Sequence, residues 1–195
     1  MIEAIKTRNS LLGQKVVESL KKALELIPKS DSIAWGGSAS VEAIGLKEAL
    51  EKRGNQMIDR DKAKTPEEKG QLMREAFFCG TYLMSSNAIT EDGELYNIDG
   101  NANRVAALCF GPKNVLIIAG INKVVHDMDA AYSRVRNLAA PINAQRFDID
   151  TPCKKTGKCA NCLSVQSICS QFVETRFCRP EGRIKVILVG EELGF

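Results

Sequence analysis

The sequence is poor in the residues that would assign it to a specialised class of protein. It has one histidine, one tryptophan and a net charge of only +3 over 195 residues. Lysine and arginine are interspersed with acidic residues rather than forming a basic stripe, so no nucleic-acid partner is expected. No apolar run approaches the roughly 20 residues that cross a bilayer, and the first residues lack the apolar core of a signal peptide. These absences predict a cytoplasmic protein with no membrane partner.

Several catalytic signatures are missing as well. The dinucleotide-binding spacing G-x-G-x-x-G and the phosphate-binding P-loop do not occur. The single histidine, His126, has no serine or cysteine nucleophile recognisably paired with it, which favours a structural role. A triad hydrolase therefore finds no support, no catalytic residue is identified, and the residues do not decide between an enzyme and a binding protein.

Alternating helical and strand patterns predict an α/β fold. Apolar residues at helical spacing extend from about Ile2 to Ile27, and a later helix is expected to end at Pro141. Buried strands are predicted at Ile33–Trp35, Met57–Ile58, Tyr82–Met84 and Val115–Ala119. The pattern is typical of a mostly parallel, Rossmann-like sheet flanked by helices, with ligands at the carboxyl ends of the strands.

The C-terminal part is expected to complete the same sheet. Residues Thr175–Phe177 and Arg183–Val189 flank a Pro-Glu-Gly turn and predict a closing hairpin. We therefore expect a single domain over residues 1–195, with a cysteine-rich segment at 151–170 inserted before this hairpin.

A glycine turn follows the first predicted strand. Gly36, Gly37 and Ser38 lead into a helix, and the free N–H groups and dipole of a helix N-terminus favour an anion there. The alternative is a tight turn in which Ser38 serves only as the N-cap. The residues alone leave both interpretations open.

A polar stretch from Ser85 to Arg104 predicts a pocket for a small ligand, because α/β proteins build their sites on loops at strand ends. Its candidate binding residues are Ser86, Asn87, Asn97, Asn101, Asn103 and Arg104. Arg104 and Lys123 are the cations suited to a carboxylate, arginine through its bidentate fork. The alternative is a hairpin followed by an asparagine-capped helix. We also expect this stretch to face Gly36–Ser38 across one cleft.

The cysteines fall into two groups. Cys79 and Cys109 stand in apolar surroundings typical of small buried residues, whereas the other five of the seven lie from Cys153 onward. Both the odd count and a reducing compartment disfavour a disulfide framework. The C-terminal group therefore needs an explanation of its own.

Four cysteines have the spacing C-x5-C-x2-C-x6-C, which supplies a complete set of thiolate ligands. They are Cys153, Cys159, Cys162 and Cys169. The spacing matches neither a zinc ribbon nor a ferredoxin, so an iron–sulfur cluster and a zinc ion both remain open. Unligated thiols and a redox disulfide between Cys159 and Cys162 are the other interpretations. Short loops bring the first three sulfurs together at little entropic cost, and Cys178 is expected to stay outside.

Three long motifs resemble the LUD-domain family of lactate-utilisation proteins. They are W-G-G-S at 35–38, S-S-N-A-I-T-E-D-G-E-L-Y-N-I-D-G-N-A-N-R at 85–104 and F-G-P-K-N-V-L-I-I-A-G-I-N-K at 110–123. T-P-C-K-K-T-G-K-C-A-N-C at 151–162 and the terminal G-R-I-K-V-I-L-V-G-E-E-L-G-F are similar to a cysteine-containing branch of the family found in anaerobes. The resemblance covers nearly the whole chain.

The resemblance implies a fold related to sugar-phosphate isomerases and CoA transferases, the NagB/RpiA/CoA-transferase type. It also implies a subunit of a cytoplasmic system that oxidises lactate or another 2-hydroxy acid. Such a subunit would bind a small carboxylate or phosphorylated ligand and act beside iron–sulfur oxidoreductase subunits in electron transfer. One departure is that the resemblance leads us to expect a strand-containing segment between Lys22 and Ala23. Either this protein lacks an edge strand, or part of the natural chain is missing at this point.

Two alternatives to that function remain. One is a stand-alone ligand-binding or regulatory domain with a structural metal. The other is an isomerase or acyl-transfer enzyme of the same fold, for which Glu91 and Glu94 are the only candidate glutamate nucleophiles in the polar stretch. A homo-oligomer is compatible with each of these functions.

Overall fold

The computed structural model describes residues 14–195, which divide into two compact units. The first unit consists of the residues up to Ser85 together with Ala106–Asn122 and Cys178–Gly194. The second consists of Ser86–Val105, Lys123–Phe177 and Phe195. The expectation of a single domain over residues 1–195 stays a prediction.

The elements of the described residues alternate along the chain as the sequence predicts. The strands are β1 Ile33–Trp35, β2 Met57–Ile58, β3 Thr81–Met84, β4 Ala88–Thr90, β5 Leu95–Asp99, β6 Asn114–Gly120, β7 Val124–Val125, β8 Gln171–Thr175 and β9 Ile184–Val189. The helices are α1 Gln14–Leu26, α2 Ala39–Ala43, α3 Leu46–Arg53, α4 Pro66–Glu75, α5 Asn103–Cys109, α6 Met128–Arg134, α7 Ala140–Ala144 and α8 Pro152–Thr156. Short 3-10 turns occupy Arg60–Lys62, Ala76–Phe78 and Ile121–Lys123. None of these helices is long and apolar enough to cross a membrane.

The first unit is built on a five-stranded parallel sheet in the order β2–β1–β3–β6–β9. Its inner strand β6 is apolar without alternation and is buried from Val115 to Gly120. That pattern is expected when both faces of a parallel sheet are covered. The predicted α/β fold with a mostly parallel sheet flanked by helices is confirmed.

Helices α1, α2 and α3 contribute to the core on one face of this sheet. Ala23 of α1, Ile27 just after it and Leu50 of α3 pack in one buried cluster with Trp35 and Leu116 of the sheet. Helix α1 runs without interruption past residues 22 and 23, where the family resemblance led us to expect an additional segment. The earlier part of the predicted first helix, residues 2–13, lies outside the described residues.

Arg183 ties the start of β9 to the end of α5 within the first unit. Its buried guanidinium donates to the carbonyl oxygens of Ala107, Leu108 and Pro112 at 2.7, 2.6 and 2.9 Å. The last carbonyls of a helix have no partner inside the helix, so a buried cation satisfies them at the negative end of the helix dipole. This contact fixes β9 beside β6.

The second unit contains a mixed four-stranded sheet in the order β7–β4–β5–β8. Strands β4 and β5 form an antiparallel hairpin, β8 pairs antiparallel with β5, and β7 pairs parallel with β4. The prediction that the last two strands close one sheet as a hairpin is wrong. Strand β8 is largely exposed and suits an edge, whereas the last residues of β9 are buried beside β6 in the other sheet.

The prediction that Pro141 ends the helix after β7 is also wrong. Helix α6 is capped by Asp127, whose carboxylate accepts from Ala130 N at 2.8 Å. The helix continues through a π-helical turn, Val135–Ala139, into α7. Pro141 lies in the first turn of α7, a position that proline tolerates well. His126, expected on this helix, precedes it and forms an exposed ion pair with Glu91.

Candidate functional site

Arg104 organises the polar stretch of the second unit. Its guanidinium donates to Asn97 Oδ1 at 2.6 Å, to Asn87 Oδ1 at 3.0 Å and to the carbonyl oxygen of Ile98 at 2.8 Å. Asp99 Oδ2 lies 3.7 Å from its Nε. The polar stretch thus forms the hairpin that the sequence analysis gave as the alternative to a ligand pocket. Arg104 holds this hairpin together.

The first turn of α5 is capped by an aspartate rather than an asparagine. Asp99 Oδ2 accepts the backbone N–H groups of Arg104 and Val105 at 3.2 and 3.1 Å, which satisfies donors that a helix start leaves open. Of the two asparagines named from the sequence, Asn101 is exposed and Asn103 is the first residue of the helix. The prediction that Asn101 and Asn103 contact a ligand stays a prediction.

Arg134, which the sequence did not single out, reaches the same hairpin from helix α6. Its Nη1 donates to the carbonyl oxygen of Asn87 at 2.6 Å, so Arg104 and Arg134 both bind this asparagine. Burial lowers the pKa of Arg134 from its usual value. No motif points to this arginine, because it stands among ordinary helix residues and only the fold brings it to the hairpin.

Lys123 completes a group of three cations. It is only 4% exposed and lies in the 3-10 turn that follows β6. Its pKa is lowered to about 7, first by burial and then by the nearby charges of Arg134 and Arg104. The two charges that lower this pKa are positive, and an anion bound beside Lys123 would raise it.

The amides of the hairpin add a hydrogen-bond donor to this group. Asn97 is fully buried, its Oδ1 accepts from Arg104 and from Asn87 N, and its Nδ2 has no hydrogen-bond partner among residues 14–195. A buried donor without a partner costs free energy unless a ligand or water satisfies it. We call Arg104, Lys123 and Arg134 with the amides of Asn87 and Asn97 the cationic centre.

The other predicted ligand-binding residues have structural contacts. The Ser86 hydroxyl donates to the carbonyl oxygen of Ala88 at 2.7 Å. Ser86 directly precedes Asn87 of the cationic centre in the sequence. In the first unit, Gly36 N donates to the carbonyl oxygen of Leu83, and Ser38 caps α2 by accepting from Val41 N at 3.3 Å.

Gly37 has a φ of +69°, and a Cβ there would collide with the Arg60 guanidinium. The turn at Gly36–Ser38 therefore has the capping role that the sequence left open. That it also binds a ligand, or shares a cleft with the polar stretch, stays a prediction.

The four predicted ligand cysteines line a single cavity of about 120 Å³ in the second unit. One buried water needs about 10–15 Å³ on the same measure, so the space is roughly tenfold larger. Its remaining walls include Ile98, Phe172 and Arg136. We call it the four-cysteine cavity.

The local fold explains how Cys169 reaches this cavity. Ser170 N donates to the carbonyl oxygen of Asp99 at 3.0 Å, and β8 then pairs along the whole of β5. A Cβ at Gly100 would lie 3.3 Å from Ile168 Cα, so glycine allows the two chain segments to approach closely. The pKa of Cys169 is raised mainly by burial, and the other three cysteines raise it further, while a contact with Ser167 lowers it.

The remaining cysteines are separate from this group. Cys178 belongs to the first unit, where its thiol contacts the carbonyl oxygen of Pro180 and the N–H of Ile184, each at 3.1 Å. Cys79 is buried, as expected, and burial raises its pKa to about 12. Cys109, expected to be buried, is exposed at the end of α5. All seven are free thiols.

The four cysteines of the cavity are donors that both an iron–sulfur cluster and a zinc ion can use. Among the described residues, no group of three or more histidine, cysteine or acidic side chains is arranged to hold a metal ion. Zinc holds its sulfurs at about 2.3 Å, which requires them to nearly touch one another, whereas a cluster places several irons between its cysteine ligands. Iron–sulfur and zinc binding both stay predictions.

Arg136 lies at the wall of the four-cysteine cavity. Its Nη2 lies 3.4 Å from Cys159 Sγ and 2.5 Å from Asn161 Oδ1, and its Nη1 donates to the Tyr132 hydroxyl at 2.8 Å. The guanidinium also stacks over the rings of Tyr132 and Phe172 at 5.2 and 5.6 Å. It projects from the π-helical turn, a deviation that often occurs at functional sites.

A parallel sheet flanked by helices, with polar and cysteine side chains gathered in a second unit, defines an α/β protein with candidate ligand sites. The chain matches the sequence model of the LUD domain over residues 14–189. It therefore belongs to the LUD domain family, which is related to lactate utilisation. Its place in a cysteine-containing branch, and the description of segment 151–170 as an insertion, stay predictions.

Comparison with other proteins adds two weak structural likenesses. No curated protein matches the chain. The eIF2B delta structure from Chaetomium thermophilum is 16% identical with a TM-score of 0.38, over 62% of this chain and 51% of that one. A DUF162 family protein from Deinococcus radiodurans is 12% identical with a TM-score of 0.34, over 93% of this chain and 100% of that one. The chain thus spans about half of the eIF2B delta chain, and neither likeness bears on function.

Proposed function

We propose that this chain is a subunit of a cytoplasmic system that oxidises lactate or a related 2-hydroxy acid. In this proposal the cationic centre binds the carboxylate of the acid, and the four-cysteine cavity carries an iron–sulfur cluster. Iron–sulfur oxidoreductase subunits would be its partners. Membership of the LUD domain family supports a role related to lactate utilisation. The cationic centre is the observation that supports binding of the carboxylate of the acid.

The carboxylate site rests on charge and burial. Three cations, from α5, α6 and the turn after β6, lie near one another. The carboxylate of Asp99 is already paired with one of them, Arg104. Burying like charges together is costly, so an anion that joins them relieves repulsion and gains charge-assisted hydrogen bonds. Asn97 Nδ2 supplies a further donor for a hydroxyl or carbonyl oxygen next to the carboxylate.

The cysteine part rests on four thiols around one cavity. An iron–sulfur cluster would supply one-electron transfer, and its potential depends on the hydrogen bonds and charges around its sulfurs. Arg136 is the cation in contact with a ligand cysteine and is held by Tyr132 and Asn161. It would orient and stabilise Cys159 as a ligand.

The carboxylate site is tested by titrating lactate into the anaerobically prepared protein in a calorimeter. We expect saturable binding to one site, and we expect Lys123→Met to weaken it at least tenfold, or about 1.4 kcal/mol. Binding should weaken as the pH rises from 6 to 8, because Lys123, with a pKa of about 7, loses its charge over that range.

The matched control is Lys113→Met, which removes an exposed lysine of the first unit and should leave lactate binding unchanged. Lactate that fails to bind the wild-type protein, or that binds equally well to Lys123→Met, would overturn the carboxylate site. Lysine is a better target than Arg104 here, since Arg104 also holds the hairpin together.

A further inference from the structure

We propose that Arg136 sets the reduction potential of an iron–sulfur cluster in the four-cysteine cavity, because it places a permanent positive charge and an N–H donor on the sulfur of Cys159. This inference rests on the cysteine part of the proposed function, in which that cavity carries the cluster. It adds to that function the residue that decides how readily the cluster accepts an electron. Arg136 acts through a ligand and is itself a positioning residue.

The contact between Arg136 and Cys159 carries the inference. Arg136 Nη2 donates to Cys159 Sγ at 3.4 Å, and both residues line the four-cysteine cavity. The same nitrogen donates to Asn161 Oδ1 at 2.5 Å, and its two N–H groups allow both hydrogen bonds at once. Among the described residues that line this cavity, Arg136 is the only cation. A positive charge is therefore already in place at one of the four sulfurs.

The guanidinium of Arg136 is held in this position from several sides. Its Nη1 donates to the Tyr132 hydroxyl at 2.8 Å, and its plane lies over the rings of Tyr132 and Phe172. Asn161 lies within the C-x2-C loop and has a φ of +49°, a conformation that asparagine adopts more readily than most residues. Since these contacts fix the donor beforehand, it needs no rearrangement when negative charge develops at the sulfurs.

The charge balance of reduction gives the direction of the effect. One electron added to an iron–sulfur cluster makes it more negative by one charge, and hydrogen bonds to its sulfurs and nearby charges shift its potential. Arginine stays protonated in proteins, so Arg136 meets that added charge as a cation. The attraction favours the reduced form and raises the potential. The electron comes from the 2-hydroxy acid in the proposed function, and from dithionite in the experiment below.

The inference is tested by redox titration of the full-length protein after anaerobic reconstitution with iron and sulfide. Dithionite is added with mediators, and the potential is read from visible absorption and electron paramagnetic resonance. We expect Arg136→Met to lower the ratio of reduced to oxidised cluster at least tenfold at a fixed potential, or about 59 mV for one electron. Arg136→Lys keeps the charge and should fall between Arg136→Met and wild type.

The matched control is Arg146→Met, which removes an exposed arginine of the same unit. Arg146 contacts Asn143 and the ring of Phe195, and it does not line the four-cysteine cavity. Because solvent and salt screen a charge at such a position, this variant should keep a potential close to that of wild type. An equal fall in Arg146→Met and Arg136→Met would mean that net charge, rather than the contact with Cys159, sets the potential.

A second variant keeps the test decisive if Arg136→Met assembles no cluster. Tyr132→Phe removes only the hydroxyl that holds Arg136 Nη1, and it should lower the potential in the same direction by a smaller amount. Assembled clusters with equal potentials in wild type, Arg136→Lys and Tyr132→Phe would overturn this inference alone. Wild-type protein that assembles no cluster would overturn it together with the cysteine part of the proposed function.

Discussion

Replacing Lys123 with methionine is expected to stabilise the protein while weakening its binding of lactate at least tenfold. The pKa of Lys123 is about 7 in the folded protein and 10.5 in an unfolded chain, so the unfolded state binds its proton more tightly. The cost of burying this lysine is therefore complete below about pH 7 and disappears as the pH rises toward 10.5. Near pH 7 the gain for Lys123→Met is at most about 5 kcal/mol, less the contacts that the amine makes.

Denaturant unfolding at pH 6.5 and pH 9.5 measures this effect. The difference in free energy of unfolding between Lys123→Met and wild type should be largest at the lower pH and shrink at the higher one. Lys113→Met, at an exposed position, should stay within about 0.5 kcal/mol of wild type. A loss of stability in Lys123→Met would mean that Lys123 belongs to a structural ion pair rather than to a ligand site.

Removing the four cavity cysteines is expected to abolish iron binding completely. After anaerobic reconstitution with iron and sulfide, wild-type protein should bind both and show broad visible absorption from sulfur-to-iron charge transfer. A variant with serine at Cys153, Cys159, Cys162 and Cys169 should remain colourless and free of iron. The physical reason is that hydroxyls are poor ligands for iron in such clusters, where thiolates are required.

The control for the cluster is Cys178→Ser, because Cys178 lies in the other unit and contacts backbone groups there. This variant should reconstitute as wild type does. Iron lost in Cys178→Ser but kept in the four-serine variant would refute the ligand set. A colourless protein that holds one zinc ion would favour the alternative of a structural metal.

The positions of the strands in the first unit could be predicted from the local pattern of apolar residues in the sequence. Continuous apolar runs such as Val115–Ala119 predicted buried parallel strands, and the structure has them, because such runs need cover on both faces. The pairing of the strands could not be predicted from local sequence pattern in the same way. Gln171–Thr175 pairs with Leu95–Asp99, far back in the chain, whereas adjacency in sequence suggested a hairpin with Ile184–Val189.

The candidate site was predicted in part. Polar residues grouped in sequence, such as Asn87, Asn97 and Arg104, are indeed joined by hydrogen bonds. Arg134 and Arg136 could not be found this way, since their roles depend on how α6 and the π-helical turn lie against the hairpin and the cysteines. Burial, which lowers the pKa of Lys123, is likewise a property of the folded chain and not of its neighbours in sequence.

The most direct measurement of the cationic centre is an NMR titration of Lys123 with carbon-13 in its side chain, assigned by its loss in Lys123→Arg. Without ligand, the Lys123 resonance should titrate with a pKa of about 7. With saturating lactate, the bound carboxylate should offset the charges of Arg134 and Arg104 and raise that pKa. A pKa that stays the same with and without lactate would contradict the carboxylate site, as would a lysine that titrates near 10.5 in the free protein.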